Sequence, residues 1–448
     1  MAMLRKAMSR TTVWGHDVYA RQRGDNAGNY LRALLRCGPP PPEVLLHRAL
    51  LDASVSVPYW RLRLRGDRDL LAQHRDLVPL TKDDIREAGS QILCQDIEQR
   101  PHWRTHSGGS TGAPIEITFD QDYLDWSDAT QRWYFKKFLG VPLRGVPRII
   151  VWGSERDLQG LEESWTVRAQ NFATQTKYLN SFRMGDADMA DYLNVINRFK
   201  PVYIRGYAGS PYQLAQFALR EQIQIHRPEL VYSAAETLRD DMRETVKSAF
   251  NAPIFDFYGS REVGPMTGEI PGGSMLAFSF FNYLEVLRED GLPAGPGETG
   301  RVVVTSLHNR AMPLIRYDIG DTAEVEEVCP GGHVKSLKRI VGRVSDHFVS
   351  ARGNQIHGEY FTHLFYGTRS IREFQVVQVA VDEVEIKWVP SASDEVPERA
   401  AINEQIRMAL GNCSVTWTQV QEIPLTPQGK RLYTRSLVQT HQHRGGPK

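Results

Sequence analysis

Two stretches of the chain alternate short apolar runs with amphipathic ones, and this restricts the fold more than any other feature. DMADYLNVINRFKPVYIRGYAGSPYQLAQFALREQ, residues 188–222, reads helix, strand, turn, helix. PELVYSAAETLRDDMRETVKSAFNAPIFDFYGSREVG, residues 228–264, reads strand, loop, helix, strand, loop. Runs of β-branched and aromatic residues that are too short for helices, separated by helical periods, build layered α/β domains around a mostly parallel sheet. In such a sheet ligands bind beyond the carboxyl ends of the strands. The loops at those ends are GYAGS, SAAET and FYGSRE.

The flanking segments extend this pattern. Residues 1 to about 45 are helical in part and break at CGPPPPEV, and Thr81 in VPLTKDDIREAGSQIL is placed to cap a helix. PIEITFD alternates as a strand, residues 123–140 form an aromatic amphipathic helix, and RGVPRIIVWG is a buried strand. From about residue 283 the short strands YLEVL, GRVVVTSL and DTAEVEEV indicate a β subdomain, and an α+β region follows RIVGRVSDHFVSARGNQIH. The expected fold class is α/β: a large N-terminal layered domain with a β subdomain, residues 1–343, and a small C-terminal α+β domain, residues 344–448.

Bulk properties exclude several classes. With 448 residues, 41% hydrophobic and 24% charged, the chain can bury a core without staples. Its net charge of +1 leaves no electrostatic footprint for nucleic acid or an anionic membrane. No run approaches the length of a membrane span, and the N-terminus lacks the apolar run of a secretory signal. Cys37, Cys94, Cys329 and Cys413 are scattered without a C-x-x-C pair, which fits a reducing cytoplasm. CPGGH, holding Cys329 and His333, reads as a turn rather than a metal site.

The stretch HSGGSTGAP, residues 106–114, offers backbone amides and hydroxyls and almost nothing to pack. Such a loop can turn N–H groups toward a phosphate, or can simply be a flexible turn. It is not a P-loop, because no lysine follows Gly112, nor a G-x-G-x-x-G turn opening a helix.

The order of the loops is more informative. The glycine/hydroxyl loop, SAAETL, DFYGSRE, RYDIGD, GRVSDHFVSARG and a late TPQGK together resemble the acyl-adenylate-forming ligases. The resemblance is to the phenylacetate–CoA ligase branch and its capsular-polysaccharide-biosynthesis relatives, over roughly residues 60–435, with PLTKDDIRE and GYAGSPYQLAQFA also matching. It implies ATP, Mg2+, a small carboxylic acid, an acyl-AMP intermediate, and transfer to an acceptor that is CoA, an amine, a sugar or a carrier thiol. It also implies a C-terminal domain that swings between half-reactions, and a homodimer. Attack of a carboxylate on the α-phosphorus joins two anions, so such a site needs amide donors, a cation and in-line positioning.

By this resemblance Ser107, Gly108, Gly109, Ser110, Thr111 and Gly112 wrap the leaving pyrophosphate. Glu262, with Thr111, holds Mg2+. Ala235, Glu236, Asp256, Phe257, Tyr258 and Gly259 line the adenine, with Tyr258 stacking and Asp256 meeting the amino group. Asp321 accepts from the ribose hydroxyls, with Asp318 a competitor that could instead brace Arg316. Arg343 reaches the ribose or phosphate, and Lys430 bridges the carboxylate and the α-phosphate.

Three positions depart from the family pattern. Ala113 stands where a basic residue is common, Arg261 where Thr or Ser is usual, and Ser345 where the hinge carries Asp or Lys. Arg261 could restore positive charge beside the phosphates, or pair with a neighbouring acid. For the acid, Trp152, Tyr207, Ala208 and Phe257 could form an aromatic pocket or could be core residues at strand ends. A non-catalytic nucleotide-binding homologue is the alternative reading.

Overall fold

The computed structural model describes residues 26–107, 115–152, 171, 172, 174–181, 184, 186–343, 347–351, 355–358, 361, 364, 365, 368, 370–391, 399–424 and 432–438. The chain divides into two compact units, Met1–Ile340 and Val341–Lys448.

In the first unit the described strands β3 (Arg148–Trp152), β4 (Thr176–Asn180), β5 (Tyr203–Gly206), β6 (Leu230–Ala234) and β7 (Ile254–Ser260) are parallel, in spatial order 4-3-5-6-7. All five residues of β6 are buried, as a parallel strand covered on both faces requires. Successive side chains point to opposite faces. Tyr203 and Tyr232 therefore join a core beneath helix Gln121–Tyr134, while Ile204 and Val231 join a second core. That second core is covered by helices Asp186–Phe199, Gly209–Arg220 and Asp240–Phe250. Helix Gln121–Tyr134 runs on to Leu139 in a wider π-type turn, matching the aromatic helix read from the sequence.

The β-rich segment expected from residue 283 is present, and it is continuous with the parallel sheet. Strands β8 (Gly264–Glu269) and β9 (Met275–Ala277) run antiparallel from β7 and carry the pairing on to β13 (Val334–Arg343). Beyond β13 lie β12 (Tyr317–Val328), β11 (Thr299–Ser306) and β10 (Asn282–Leu287), so that eleven described strands form one sheet. Short strands β8 and β9 carry no alternating apolar signal, so the sequence shows no link between the parallel strands and the β subdomain.

Two smaller features frame the site. Strands β1 (His102–His106) and β2 (Glu116–Asp120) form an antiparallel hairpin whose register brings His106 opposite Glu116. Residues 108–114 of the glycine loop, between these strands in sequence, are outside the described residues. Thr81 caps helix Lys82–Ala88 through a capping box with Asp84, the Asp84 N–H donating to the threonine hydroxyl at 3.2 Å. CPGGH is a turn: Gly332 N–H donates to Cys329 O and Cys329 N–H to His333 O, both at 2.8 Å.

The second unit holds a four-stranded sheet, order 18-17-16-19, of β16 (Ile371–Ala380), β17 (Glu383–Pro390), β18 (Ser414–Gln419) and β19 (Thr434–Ser436). Helix Arg399–Leu410 and the small pair β14 (His347–Val349) and β15 (Gln355–His357) complete its described part. Buried Gln378 ties these together. It donates to Val349 O at 2.7 Å and accepts from Val349 N at 2.8 Å and the Ser436 hydroxyl at 3.0 Å.

Candidate active site

Among the described residues, most sequence-derived candidates of the first unit lie at or just beyond the carboxyl ends of its parallel strands, whereas Asp321 is on β12 and Ser107 follows β1; they fall into two groups. Gly108, Gly109, Ser110, Thr111, Gly112, Ala113, Ser345 and Lys430 lie outside the described residues, and Arg343 is described only as backbone at the end of β13.

The first group surrounds the end of β7. The Tyr258 hydroxyl donates to Asp321 Oδ2 at 2.7 Å, joining the candidate adenine residue to the candidate ribose residue across sixty-three positions of sequence. Asp321 is buried at 8% exposure, so its carboxylate presents a restricted face to any ligand. In the neighbouring loop Ala235 adopts a left-handed backbone, φ 69°, which a non-glycine residue holds only at a cost of about 1 kcal/mol. That turn swings Glu236 toward helix Gly209–Arg220, where its Oε2 accepts from Gly209 N–H at 2.8 Å. The carboxylate thereby meets the positive end of the helix. Gly259 is obligatory, since a Cβ there would sit 2.8 Å from Gly264 O.

Asp256 is half-buried and has one acidic neighbour, Glu269. Its N–H donates to Glu269 Oε2 at 2.8 Å, and Arg243 donates to the same oxygen at 2.9 Å. Burial, then the nearby Glu269 charge, lift the Asp256 carboxyl from its ordinary 3.8 to about 7; the Phe257 N–H, donating at 2.9 Å, works against that lift.

Glu262 follows this strand. It is buried at 7% exposure, and its Oε1 lies 3.8 Å from Lys82 Nζ at the start of helix Lys82–Ala88. The Ser260 hydroxyl pins the turn by accepting from Glu262 N–H and Val263 N–H, both at 3.2 Å. Among the described residues no cluster of three metal-ligating side chains exists. One carboxylate suits a Mg2+ that arrives with phosphate oxygens, not an ion held by protein alone. Arg261 is half-buried.

Ser107 closes the neck of the glycine loop. It is buried, its N–H donates to Ile115 O at 2.9 Å, and its hydroxyl accepts from Ile115 N–H at 3.0 Å. Asp318 does not brace Arg316. It pairs with Arg301 and accepts from Gly320 N–H at 3.0 Å. Arg316 instead pairs with Glu285 at 3.3 Å and donates to Arg75 O and Leu77 O, both at 2.6 Å, tying the residue before β12 to the end of helix Leu70–Asp76.

The second group lies at the ends of β3 and β5. Trp152 and Tyr207 stack with ring centroids 4.1 Å apart and planes 27° apart. Ala208 is buried at the mouth of the following helix. Of the two roles open to it, pocket wall or core residue at a strand end, Phe257 packs as the second. It contacts Tyr232 at 5.2 Å, and Tyr134 and Phe278 at 6.1 Å, within the large core. Between the two aromatic sets sits Arg205, its guanidinium 5.3 Å from the Trp152 ring and 5.6 Å from the Tyr232 ring.

Sequence reasoning missed Lys82, Arg205 and the Glu269–Arg243 pair. Lys82 lay in a quoted motif, but its neighbour Glu262 is remote in sequence. Arg205 had one local signal, a charged residue inside the apolar run YIRG.

Comparison with known proteins identifies the fold. A 2-hydroxyisobutyryl-CoA ligase, solved in a postadenylation state with an acyl-AMP, superposes with a TM-score of 0.67 over 88% of each chain at 18% identity. The chain has the fold of the acyl-adenylate-forming ligases. The amide bond synthetase McbA from Marinactinospora thermotolerans superposes with a TM-score of 0.52 at 17% identity, covering 73% of this chain and 66% of that one. Residues 348–436 match the family described as the CapK C-terminal domain. The protein CapK of Staphylococcus aureus is 26% identical over 387 residues, 83% of this chain and 82% of that protein. No helix among the described residues is long and apolar enough to cross a membrane.

Proposed function

We propose that this protein activates a carboxylic acid with ATP, forming an acyl-adenylate and pyrophosphate, and then passes the acyl group to an acceptor, CoA in the first instance. The observation that carries this reading is the Tyr258–Asp321 hydrogen bond of 2.7 Å. It joins an aromatic residue of β7 to a buried carboxylate of β12, the pairing that an adenosine needs: a stacking surface for the base and an acceptor for the ribose hydroxyls. Glu262 then stands where a Mg2+ carried by ATP could be met, and the loop from Ser107 to Ile115 supplies amides for the departing pyrophosphate.

In this reading Lys430 neutralises the meeting of carboxylate and α-phosphate, Arg343 steadies the ribose or phosphate, and the unit from about residue 344 swings about Ser345 between half-reactions. Trp152 and Tyr207 form one wall of the acid site, and Ala208 its floor. The relation to CapK supports an acid or acceptor drawn from polysaccharide assembly as strongly as one drawn from CoA metabolism. Product analysis tests the proposal. With ATP, Mg2+ and an accepted acid, AMP must accumulate and ADP must not, and CoA must yield a thioester. AMP without a thioester points to an amine, sugar or carrier acceptor, and ADP would refute adenylation.

A further inference from the structure

We infer that Arg205 recognises a second, anionic oxygen group on the acid, so that the substrates are acids with a carboxylate or phosphate remote from the reacting carboxylate. The inference rests on the adenylation reading above and deepens it. The geometry that carries it is a half-buried cation whose buried Nε has no acceptor among the described residues, beside the aromatic wall proposed for the acid site.

Arg205 lies one residue before the end of β5, in register with Ile150 of β3 and Tyr232 of β6. Its guanidinium is held between the faces of Trp152 and Tyr232, which fixes it sideways and leaves its in-plane donors to be satisfied by something else. Its Nε is buried, and no hydrogen-bond partner exists for it among the described residues. The buried Nε of Arg316 also makes no hydrogen bond among the described residues, but it lies 3.3 Å from a carboxylate. Three partly or fully buried arginines of this unit, Arg316 among them, all have acceptors close by. Arg316 has Glu285 and two carbonyls, Arg243 has Glu269 and Ile254 O, and Arg148 has Thr176.

A buried donor left unpaired is costly, and native proteins keep few of them, commonly at functional positions. The Tyr232 hydroxyl beside it is likewise buried without a partner among the described residues, and burial holds it protonated. A charged fork and a neutral donor, walled by aromatic rings, suit a planar carboxylate or a phosphate. They would leave an apolar tail facing an unpaired charge, which selects against it.

The test uses the full chain in ATP–pyrophosphate exchange with matched acids. Each set contains a monocarboxylic acid, its analogue ending in a second carboxylate, and its analogue ending in a phosphate ester. The expected result is that an anionic-tailed member exceeds its neutral partner in kcat/KM by tenfold or more, the two anionic arms telling carboxylate from phosphate. Arg205→Met should reverse the preference toward the neutral member while leaving KM for ATP unchanged, a gain that a misfolded variant cannot give. Arg205→Lys should retain the anionic preference in weakened form. A wild-type preference for neutral acids, or an equal loss for both classes in Arg205→Met, overturns the assignment while leaving adenylation intact. No exchange with any acid overturns adenylation and this assignment with it.

Discussion

Replacing Asp256 by Asn should make the first unit more stable, increasingly so as pH rises. Burial and the Glu269 charge hold the Asp256 carboxyl at about 7 in the folded chain, against an ordinary 3.8. An acid whose folded pKa is raised binds more protons folded than unfolded between those two values. Stability is therefore full below the unfolded value and falls as pH rises, by about 1.4 kcal/mol per pH unit, until it levels off above the folded value. Asn is nearly isosteric, can still accept from Phe257 N–H, and carries no charge to desolvate. From pH 5 to pH 8 the advantage of Asp256→Asn should grow by about 3 kcal/mol, the increment accumulating between pH 5 and about 7. For a unit of this size that is a widening of about 5 °C in melting temperature. Thermal melts of wild type and variant at half-unit pH steps supply the comparison. A gap that stays constant with pH, or that opens only below pH 5, would refute the reading of Asp256 as a carboxyl kept neutral by its surroundings.

Two further substitutions probe the site and the scaffold. Tyr258→Phe deletes the 2.7 Å bond to Asp321 and should raise KM for ATP about fivefold, for a loss of about 1 kcal/mol, with kcat changed less; steady-state kinetics check it. Gly268→Ala would set a Cβ 2.6 Å from the Tyr134 ring, and should cost about 1–3 kcal/mol, seen as a lower denaturant midpoint.

Much of the fold was legible because its signals are local. Thr81 and Asp84 lie three residues apart, so their capping box can be read directly. Strands such as LVYSA declare themselves by apolar runs, and PIEITFD by its alternation. The sheet's full extent was not legible. GPMTGE lacks an apolar run and MLA is only three residues long, so neither signals a strand, and pairing partners leave no trace in the period of either. The site divides in the same way. Tyr258, Glu262 and Asp321 stood out as motif residues, but the Tyr258–Asp321 bond and the Lys82–Glu262 approach join segments remote in sequence. Asp318 illustrates the converse. Its proximity in sequence suggested Arg316 as partner, whereas strand geometry gives it Arg301 from β11, and the left-handed backbone of Arg316, φ 48°, accompanies its turn toward Glu285.

The central claim is that ATP and an acid react here through an acyl-adenylate. The most direct test is incorporation of labelled pyrophosphate into ATP by the wild-type chain and by Lys430→Ala, with Mg2+ and pooled carboxylic acids. The expected result is acid-dependent and Mg2+-dependent exchange that falls about a hundredfold or more in the variant, while nucleotide binding is retained. Nucleotide binding without exchange in any acid pool, or exchange equal in the two proteins, would contradict the account.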